Sequence, residues 1–571
     1  MSVVADTVPD LRPVRPARPG RPRLTRSGRW ALAGLLLGTA TLHLWDLGSV
    51  GWADIRYASA IRGMAQDWTA FLYASTDAGN IVTVGGPPGS LWAMALFARV
   101  FGFSAWSMLV PQALMGVGAV ALLYAAVRRV AGPGGGLLAG AALALTPVTV
   151  AMFRFNYPDA LLVLLLVAAA YSTVRAIEDG LLRRLLLAGV FAGLAVLTDT
   201  AQALLPLPAL ALAYLVAAPV GFFRRGFQLL AAGVALVVAA GWWYALVELR
   251  LAGNRPYIGG SRADSALELA LDDLRRLAGI DPGPLRMVDV QHAALVGWLL
   301  PAALALLVVG LLLTSRRPRT DAARASLVLW GGWTVLTAVA LGTGGYLTHD
   351  TVALAPGVAA LAGIGSALLW ERRRRWAGRG TLTVLVAGTV AWEWTLLDRM
   401  PALLPRWIVV AAAAVVIGFV LIAGTTMRRG TAAVGSALAL MALALPAAVA
   451  ARTTAGQVGL PDVGAQASAP GPELTDVLRS TGRTWSAATV GTQQSAALGL
   501  ASDTTVIGIG GASGNDPAPT LERFQAIVEA GEVRWFVDTG GESEILAWVR
   551  QNFEPSTVGG HTVYDFARPA S

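Results

Sequence analysis

The 571-residue sequence contains no cysteine and no lysine, and it has only four histidines. Without cysteine the chain can form no disulfide, no iron–sulfur cluster and no thiolate zinc site. No two of the histidines (His43, His292, His349 and His561) stand at metal-ligand spacing. A divalent cation (Mg²⁺, Mn²⁺ or Ca²⁺) held by carboxylates is compatible with this composition. No residue pattern requires one, however, and we predict no specific metal ligands.

Charged residues are also scarce, at 14% of the chain against about 25% in a typical soluble domain. Hydrophobic residues make up 55%, and the net charge of +9 comes from arginines clustered between apolar runs. The clusters begin at Arg128, Arg183, Arg224, Arg316, Arg372 and Arg428. Such clusters keep loops on the cytoplasmic side of a membrane, and no basic face interleaved with aromatics suggests nucleic acid. Apolar runs that recur along the chain indicate a multi-pass membrane protein, and the lysine-free composition, rich in Ala, Gly, Arg and Pro, is typical of a GC-rich bacterial genome. We therefore predict a location in a bacterial plasma membrane.

About thirteen apolar runs approach the roughly 20 residues that a spanning helix needs. They lie at 30–46, 105–127, 134–152, 159–177, 185–200, 203–221, 227–247, 292–314, 324–345, 351–370, 381–397, 406–426 and 430–450. If the N-terminus is cytoplasmic, alternation places the arginine clusters inside and the loops 46–104 and 248–291 outside. We therefore predict a polytopic α-helical membrane protein with about 13 spans and an extracytoplasmic C-terminus.

The sequence divides into four parts by composition. Residues 1–29 read as a disordered basic cytoplasmic arm, and 30–450 as the membrane domain, whose first outer loop carries amphipathic interfacial helices. Residues 451–472 form a linker rich in Gly, Ala and Pro. From 473 to 571, four strand-forming runs alternate with helix-forming runs, which predicts a small extracytoplasmic α/β domain with a parallel sheet.

The stretch "GWADIRYASAIRGM", residues 51–64, carries the most specific polar pattern of the outer loops. Asp54 stands where a helix would begin, so its carboxylate can cap the first helical amides. It can equally serve as a catalytic acid or base. The residues alone leave both interpretations open.

A resemblance bears on that choice. "WADIRYASAIRGM" is similar to the D-E-x-R-Y-A motif in the first outer loop of the GT-C glycosyltransferases, in particular the lipid A aminoarabinose transferases and protein O-mannosyltransferases. "YPDALLVLLL", "NRPYIGGS", "TVALAPGVAAL" and "GNDPAPTLERFQAIVEAGEVRWF" resemble actinobacterial mannosyltransferases of this superfamily. The resemblance implies a GT-C fold and an inverting enzyme that moves a mannose- or arabinose-like sugar from a polyprenyl-phosphate lipid donor. The acceptor would be a glycan, a lipid or a protein on the outer face.

The resemblance also implies roles for four residues. Asp54 takes the position of the catalytic aspartate and would act as general base; the leaving lipid phosphate needs no second acid. Asp159, in "NYPDALL", matches the second acid and would orient the acceptor or help bind a metal, the alternative being a helix cap. Arg56 would hold the donor phosphate bidentately, or else extend toward lipid headgroups. Tyr57, beside it, would contact substrate.

Five more residues are candidates for substrate binding. Arg255 and Tyr257, in "NRPYIGG", would contact phosphate, unless they only form a Pro/Gly turn with an interfacial tyrosine. His349 and Asp350, in "GGYLTHDTVALAP", would line the donor pocket, the alternative being a helix cap. Asp77, in "STDAGN", would contact the sugar or merely form an Asx-turn.

The sequence departs from the similar mannosyltransferases at several polar positions. They read "DKPP" where this chain has "GGPP" at Gly85 and Gly86, and "TKMLQ" where it has "TDTAQ" with Asp199. They read "HPYYT" where this chain has "LTHDT". Cationic groups are thus lost or inverted in sign, so phosphate binding would depend on arginines or on the amides of Gly85 and Gly86. We expect an altered donor or acceptor specificity.

Two other functions compete with sugar transfer. A non-catalytic GT-C-like envelope protein would bind a glycan or a partner protein through the same outer loops. A secondary transporter would show inverted repeats and mid-span charges, whereas the charges here gather at the ends of the apolar runs.

Overall fold

The computed structural model describes residues 25–250, 255–279, 293–399, 470–512 and 514–569. Several sequence predictions lie outside these ranges: the arm over residues 1–24, the spans at 406–426 and 430–450, and the linker up to residue 469.

The described part of the chain before residue 400 is helical. In chain order the helices are α1 (Arg26–Leu44), α2 (Ile55–Gln66), α3 (Trp68–Tyr73), α4 (Gly89–Phe101), α5 (Ala105–Leu145), α6 (Pro147–Met152), α7 (Asp159–Asp179), α8 (Leu182–Val196), α9 (Thr200–Leu204), α10 (Leu207–Ala217), α11 (Phe222–Leu249), α12 (Ala266–Ala278), α13 (Leu300–Thr314), α14 (Ala322–Thr343), α15 (Ala355–Glu371) and α16 (Trp376–Arg399). The predicted polytopic helical architecture is confirmed.

Eight helical segments within the described ranges are long and apolar enough to cross a membrane. One of them, α5, contains two predicted spans because the helix continues across a kink at Gly132, where φ is 72°. By contrast, α8 has only 15 residues, and α16 is not among the eight segments. The number of 13 spans is therefore not confirmed.

Small residues bring several of these helices into backbone contact. On α8, a Cβ added to Gly189 or Gly193 would overlap the carbonyl oxygens of Ala232 or Leu236 on α11. A hydrocarbon environment offers no hydrophobic force between helices, so close packing of small residues provides the attraction instead. This contact fixes the end of α8, from which the chain continues to Asp199.

The loop at residues 46–104, predicted as the first outer loop, folds into the three helices α2, α3 and α4, and α2 and α4 pack against the start of α5. The apolar face of α2, with Ile61 and Met64, packs against Leu91 and Met94 of α4. Phe101, at the end of α4, is 69% exposed. The predicted amphipathic helices are therefore present, and their exposed aromatic residues suit the membrane–water interface.

The C-terminal part is a small α/β unit. Its elements are α17 (Pro472–Arg479), β1 (Trp485–Val490), α18 (Thr492–Ser502), β2 (Val506–Ile509), α19 (Leu521–Glu529), β3 (Val533–Asp538), α20 (Glu544–Asn552), β4 (Phe553–Val558) and β5 (His561–Pro569). The sheet order is β2-β1-β3-β5-β4. Strands β1, β2 and β3 are parallel, and β5 is antiparallel to both β3 and β4.

The sheet is thus mixed, whereas the alternating pattern predicted a parallel one. Gly559 and Gly560 both have positive φ and join β4 to β5. Two such residues form the tight turn of a hairpin. We did not predict β4, because its sequence "FEPSTV" contains a proline and few apolar residues. In the structure this strand is largely exposed and lies at the edge of the sheet, where proline is tolerated.

The α/β unit packs directly on the first outer loop. On α2, Arg62 pairs with Asp503 at 2.8 Å and donates to the carbonyl oxygen of Gly499 at the end of α18. The ring of Trp485 lies so close to Gly79 that an added Cβ would overlap it. Ile81 of the loop joins the hydrophobic core of the α/β unit. The loop and this unit therefore lie on the same side of the membrane.

We predict that Gly193→Val lowers the thermal stability of the purified protein. The added methyl groups would push α8 away from the backbone of α11, and overpacking of this kind costs about 1–3 kcal/mol or more. Thermal unfolding in detergent, followed by circular dichroism, measures the effect. The control is Gly233→Val, because an added Cβ at Gly233 of α11 meets no atom within 4 Å. Equal melting temperatures for the two variants would contradict the prediction.

Candidate active site

Asp54 is the N-cap of α2 and is almost completely buried. Its Oδ1 accepts hydrogen bonds from the backbone amides of Arg56, at 2.9 Å, and Tyr57, at 3.4 Å. The capping interaction considered from the sequence is therefore present. It leaves the other oxygen, Oδ2, available for side chains.

Arg56 folds back onto Asp54 and binds both of its oxygens. Nε lies 3.2 Å from Oδ1, and Nη2 lies 2.8 Å from Oδ2. This hydrogen bonding to Asp54 raises the pKa of the Arg56 guanidinium, so it stays charged. The Arg56 side chain is 40% exposed while that of Asp54 is 3% exposed. The cation can therefore reach an incoming anion although the acid is buried.

A short segment between α6 and α7 holds Asp54 from the other side. The Asn156 side chain accepts from the Asp54 amide at 2.9 Å and donates to the Asp54 carbonyl oxygen at 2.8 Å. Next to it, the Tyr157 hydroxyl donates to Oδ2 of Asp54 at 3.2 Å. Both residues lie in the quoted stretch "NYPDALL", but we had assigned a role only to Asp159. The feature of the sequence that could have identified Asn156 and Tyr157 is their position just before the candidate acid Asp159.

Tyr57 and Tyr157 lie near both predicted acids, Asp54 and Asp159. The two rings meet edge to face with centroids 5.4 Å apart, and the charges of Asp54 and Asp159 both act on the Tyr57 hydroxyl. Burial is the main reason that the pKa of Tyr57 is raised, so this phenol stays protonated and can donate a hydrogen bond. The structure thus brings Asp54, Arg56, Tyr57 and Asp159 together.

His349 and Asp350 lie on the far side of Tyr157. The imidazole of His349 stacks on the Tyr157 ring with centroids 4.9 Å apart, and its Nε2 is 3.5 Å from Oδ1 of Asp350. The same Asp350 oxygen accepts a hydrogen bond from Gln202 at 2.8 Å. Contacts therefore run without a break from Arg56 to Gln202.

Arg255 and Tyr257 lie in the loop at residues 248–291, where their side chains bind within that loop and the backbone of Tyr257 binds the loop at residues 46–104. Arg255 is buried and donates to Oδ1 of Asp264 at 2.7 Å. The Tyr257 hydroxyl donates to the carbonyl oxygen of Ser261. The backbone of Tyr257 pairs with Val82 of the first loop. These contacts stabilise the loop, and the assignment of both residues to phosphate stays a prediction.

Asp77 lies where the first loop meets the α/β unit. Its Oδ1 accepts from the amide of Gly79 at 2.6 Å, which is an Asx-turn, and faces the Trp485 indole nitrogen at 3.5 Å. Its Oδ2 is buried without a hydrogen-bond partner. Contact with a sugar stays a prediction, while the turn is observed.

Within the described residues, no group of three or more histidine, aspartate and glutamate side chains is arranged to hold a metal ion. The divalent cation considered from the sequence therefore stays a prediction, without ligands to which it can be assigned.

Comparison with protein families identifies two segments. Residues 85–244 match the family described as dolichyl-phosphate-mannose-protein mannosyltransferase. Residues 474–552 match the C-terminal family described as "Putative mannosyltransferase YkcB-like". The first match includes Asp159 and begins after Asp54.

Two curated proteins of Bacillus subtilis are similar over nearly the whole chain. "Putative mannosyltransferase YycA" is 26% identical, over 91% of this chain and 93% of its own length. "Putative mannosyltransferase YkcB" is also 26% identical, over 91% of this chain and 90% of its own length.

Among solved structures, ArnT from Cupriavidus metallidurans bound to undecaprenyl phosphate superposes with a TM-score of 0.57. The match covers 95% of this chain and 98% of ArnT at 17% identity. At this identity the likeness concerns the fold, and it confirms the GT-C fold expected from the sequence.

We predict that Asp77 makes the contact between the loop and the α/β unit sensitive to pH. Burial raises the pKa of Asp77 from 3.8 to about 6. Because the pKa is higher in the folded state, protonation stabilises the contact: its contribution is complete below about pH 4 and is lost as the pH rises through about 6. Asp77→Asn keeps the Oδ1 contacts and removes the titration, so its melting temperature should rise relative to wild type between pH 4.5 and 7.5.

Asp476→Asn, at an exposed position of α17, is the control for loss of a carboxylate. A melting-temperature difference between Asp77→Asn and wild type that stays constant over this pH range would show that Asp77 is not the titrating group.

Proposed function

We propose that this chain, which has a GT-C fold, is a membrane glycosyltransferase that transfers a mannose- or arabinose-like sugar from a polyprenyl-phosphate donor to an acceptor hydroxyl. The acceptor would be a glycan, a lipid or a protein on the extracytoplasmic face of a bacterial plasma membrane. The undecaprenyl phosphate bound by ArnT and the mannosyltransferase families matched here support this choice of donor and sugar.

One observation carries the proposal: a buried carboxylate, Asp54, is held beside a half-exposed cation, Arg56. A lipid phosphate needs a cation at the protein surface, whereas an acceptor hydroxyl needs a base shielded from water. The pair supplies both within one turn of α2. In the absence of substrate each neutralises the other.

Donor binding would separate the pair. As the phosphate takes hydrogen bonds from the Arg56 guanidinium, Asp54 loses its two-point partner and its carboxylate becomes available to the acceptor hydroxyl. Asp54 would then take the proton of the acceptor hydroxyl while the acceptor oxygen forms a bond to C1 of the sugar. The bond between C1 and the phosphate oxygen breaks, and polyprenyl phosphate leaves with the bonding electrons. A single displacement of this kind inverts the configuration at C1.

The cytoplasmic N-terminus and the extracytoplasmic α/β unit belong to the same proposal. The arginine clusters support this orientation through the positive-inside rule. Because the α/β unit contacts the loop that carries Asp54, one orientation places both of them outside. There the unit would guide the acceptor toward Asp54.

We predict that Asp54→Asn lowers kcat for sugar transfer by about 100-fold or more, since general-base catalysis contributes about 10²–10⁴-fold. The assay follows sugar transfer from polyprenyl-phosphate mannose or arabinose in proteoliposomes. Asparagine caps a helix as well as aspartate does, so α2 should stay intact.

Asp67→Asn is the matched control, because Asp67 caps α3 in the same loop through its carboxylate. If kcat falls equally in Asp54→Asn and Asp67→Asn, the role of Asp54 is structural only. An inactive wild type across a panel of donors and acceptors would favour the non-catalytic GT-C-like function instead.

We predict that Arg56→Ala raises KM for the lipid donor by about 10- to 100-fold, as expected for loss of charge-assisted hydrogen bonds. Arg56→Lys should recover only part of this, because an ammonium cannot bind two phosphate oxygens in the fork geometry of a guanidinium. KM for the acceptor should change little in both variants. Arg275→Ala, at an exposed position of α12, is the control.

An unchanged KM for the lipid donor in Arg56→Ala would show that Arg56 does not bind the donor phosphate. It would leave the role of Asp54 to be decided by its own variant.

A further inference from the structure

The carboxylate of Asp159 is buried without a hydrogen-bond partner. The residue is 1% exposed, and no group meets the distance and angle of a hydrogen bond at either Oδ1 or Oδ2, although the Gln202 amide lies near enough to act on the carboxyl group. An unsatisfied buried carboxylate is costly. In addition, the carboxyl groups of Asp350 and Asp199 lie close to it. The chain therefore buries an unsatisfied acid beside two other acids.

Two further buried polar atoms at this place also lack partners. One is Oε1 of Gln202, a residue that is 2% exposed. Its amide nitrogen donates to Asp350 at 2.8 Å and to Asp199 at 3.2 Å, so the amide lies among the acids. The other is the hydroxyl of Tyr346, a residue that is 8% exposed and lies near the carboxyl groups of Asp199, Asp350 and Asp273 and near the guanidinium of Arg276.

The unsatisfied atoms are mainly acceptors, which limits the ligand that can satisfy them. Both oxygens of Asp159 and the Gln202 oxygen need donated hydrogen bonds, while the Tyr346 hydroxyl can donate one or accept one. A phosphate diester offers only acceptors, so it cannot donate the hydrogen bonds that these atoms need. A sugar ring offers several neighbouring hydroxyl groups, each of which donates one hydrogen bond and accepts others.

We propose that Asp159, Gln202 and Tyr346, braced by Asp199 and Asp350, form the pocket that binds the transferred sugar through its hydroxyl groups. This inference rests on the proposed function and deepens it. It assigns Asp159 to the donor sugar rather than to the acceptor or a metal, and it adds Gln202 and Tyr346 as residues that determine sugar specificity.

The position of the pocket agrees with the roles proposed for Arg56 and Asp54. Contacts connect Arg56 through Asp54 and Tyr157 to His349 and then to the acids. A donor with its phosphate at Arg56 would therefore extend its sugar past Tyr157 toward Asp159. The cationic and acidic ends of this path match the anionic phosphate and the hydrogen-bond-donating sugar.

Binding of two lipids to the full-length protein in detergent tests the inference. One lipid is undecaprenyl phosphate, and the other is undecaprenyl phosphate carrying mannose or arabinose. The ratio of their affinities isolates the contribution of the sugar. In Asp159→Asn this ratio should fall about 10-fold or more, and in Tyr346→Phe by a smaller factor. The affinity for undecaprenyl phosphate should stay within about twofold of wild type in both variants.

Two control variants make the same chemical changes at buried, unpartnered groups outside the pocket. Glu393→Gln, on α16, matches Asp159→Asn, and Tyr124→Phe, on α5, matches Tyr346→Phe. Both should keep the wild-type ratio. The mild Tyr346→Phe change keeps the test informative even where Asp159→Asn folds poorly.

The outcomes separate this inference from the proposed function. One contradicting outcome is a wild type that binds undecaprenyl phosphate with the same affinity whether or not the lipid carries a sugar. Another is a wild-type affinity ratio in both pocket variants. Either result would show that the sugar pocket is wrong, while the lipid donor would still hold. If wild type binds neither lipid, the donor class and the pocket fall together.

Discussion

The double hydrogen bond between Asn156 and the backbone of Asp54 is the contact on which the candidate site depends. It joins two segments about 100 residues apart in sequence, at 2.9 and 2.8 Å. The Asn156 side chain accepts a hydrogen bond from the Asp54 backbone amide and donates one to the Asp54 carbonyl oxygen. Because it holds the backbone of Asp54 at two points, it fixes the orientation of this residue as well as its distance from Asn156. Tyr157 follows directly, so its hydroxyl meets the Asp54 carboxylate, and Asp159 follows two residues later at the start of α7.

The charges around this contact are separated in a way that suits an anionic lipid carrying a neutral sugar. Arg56 is engaged by Asp54 but remains 40% exposed. In contrast, Asp159 is buried with no cation bound to it. When Arg56 turns to a phosphate, Asp54 keeps the hydrogen bonds of two backbone amides and of the Tyr157 hydroxyl, which offset part of the cost of leaving its buried charge without a cation. Asp159 has no such hydrogen bonds, so it gains most from a ligand that fits it.

The sequence predicted the parts of the fold that depend on local physics. Long apolar runs and arginine clusters were sufficient for a polytopic helical protein, and the alternation after residue 472 predicted an α/β unit. The exact spans could not be counted, because kinks such as Gly132 and short helices such as α8 are decided by packing between helices. The antiparallel hairpin was missed because β4 has neither the apolar character nor the composition of a buried strand.

The sequence predicted the chemistry of the candidate site, but only some of the residues that form it. Asp54, Arg56 and Asp159 stand in recognisable motifs, and the structure places them together. Gln202 ends the stretch "TDTAQ" but was missed, because only the change of charge at Asp199 was considered there. Its hydrogen bond to the neighbouring Asp199 is local, whereas its hydrogen bond to Asp350 joins a distant segment and could not be predicted from spacing. Tyr346 was quoted in "GGYLTHDTVALAP" but stood next to stronger candidates. Long-range pairing of this kind cannot be read from spacing.

The α/β unit and the catalytic candidates share one rigid element. Asp54 begins α2, and Arg62 lies two turns further along the same helix, about 12 Å away at 1.5 Å per residue. There its guanidinium binds Asp503 and the carbonyl oxygen of Gly499, where α18 ends. Cations stabilise the C-terminal end of a helix, so this contact combines an ion pair with a helix-end interaction. A movement of the α/β unit against the loop would therefore act on α2 directly. Asn156 holds the other end of the helix at Asp54, so α2 connects the contact with the α/β unit to the candidate site.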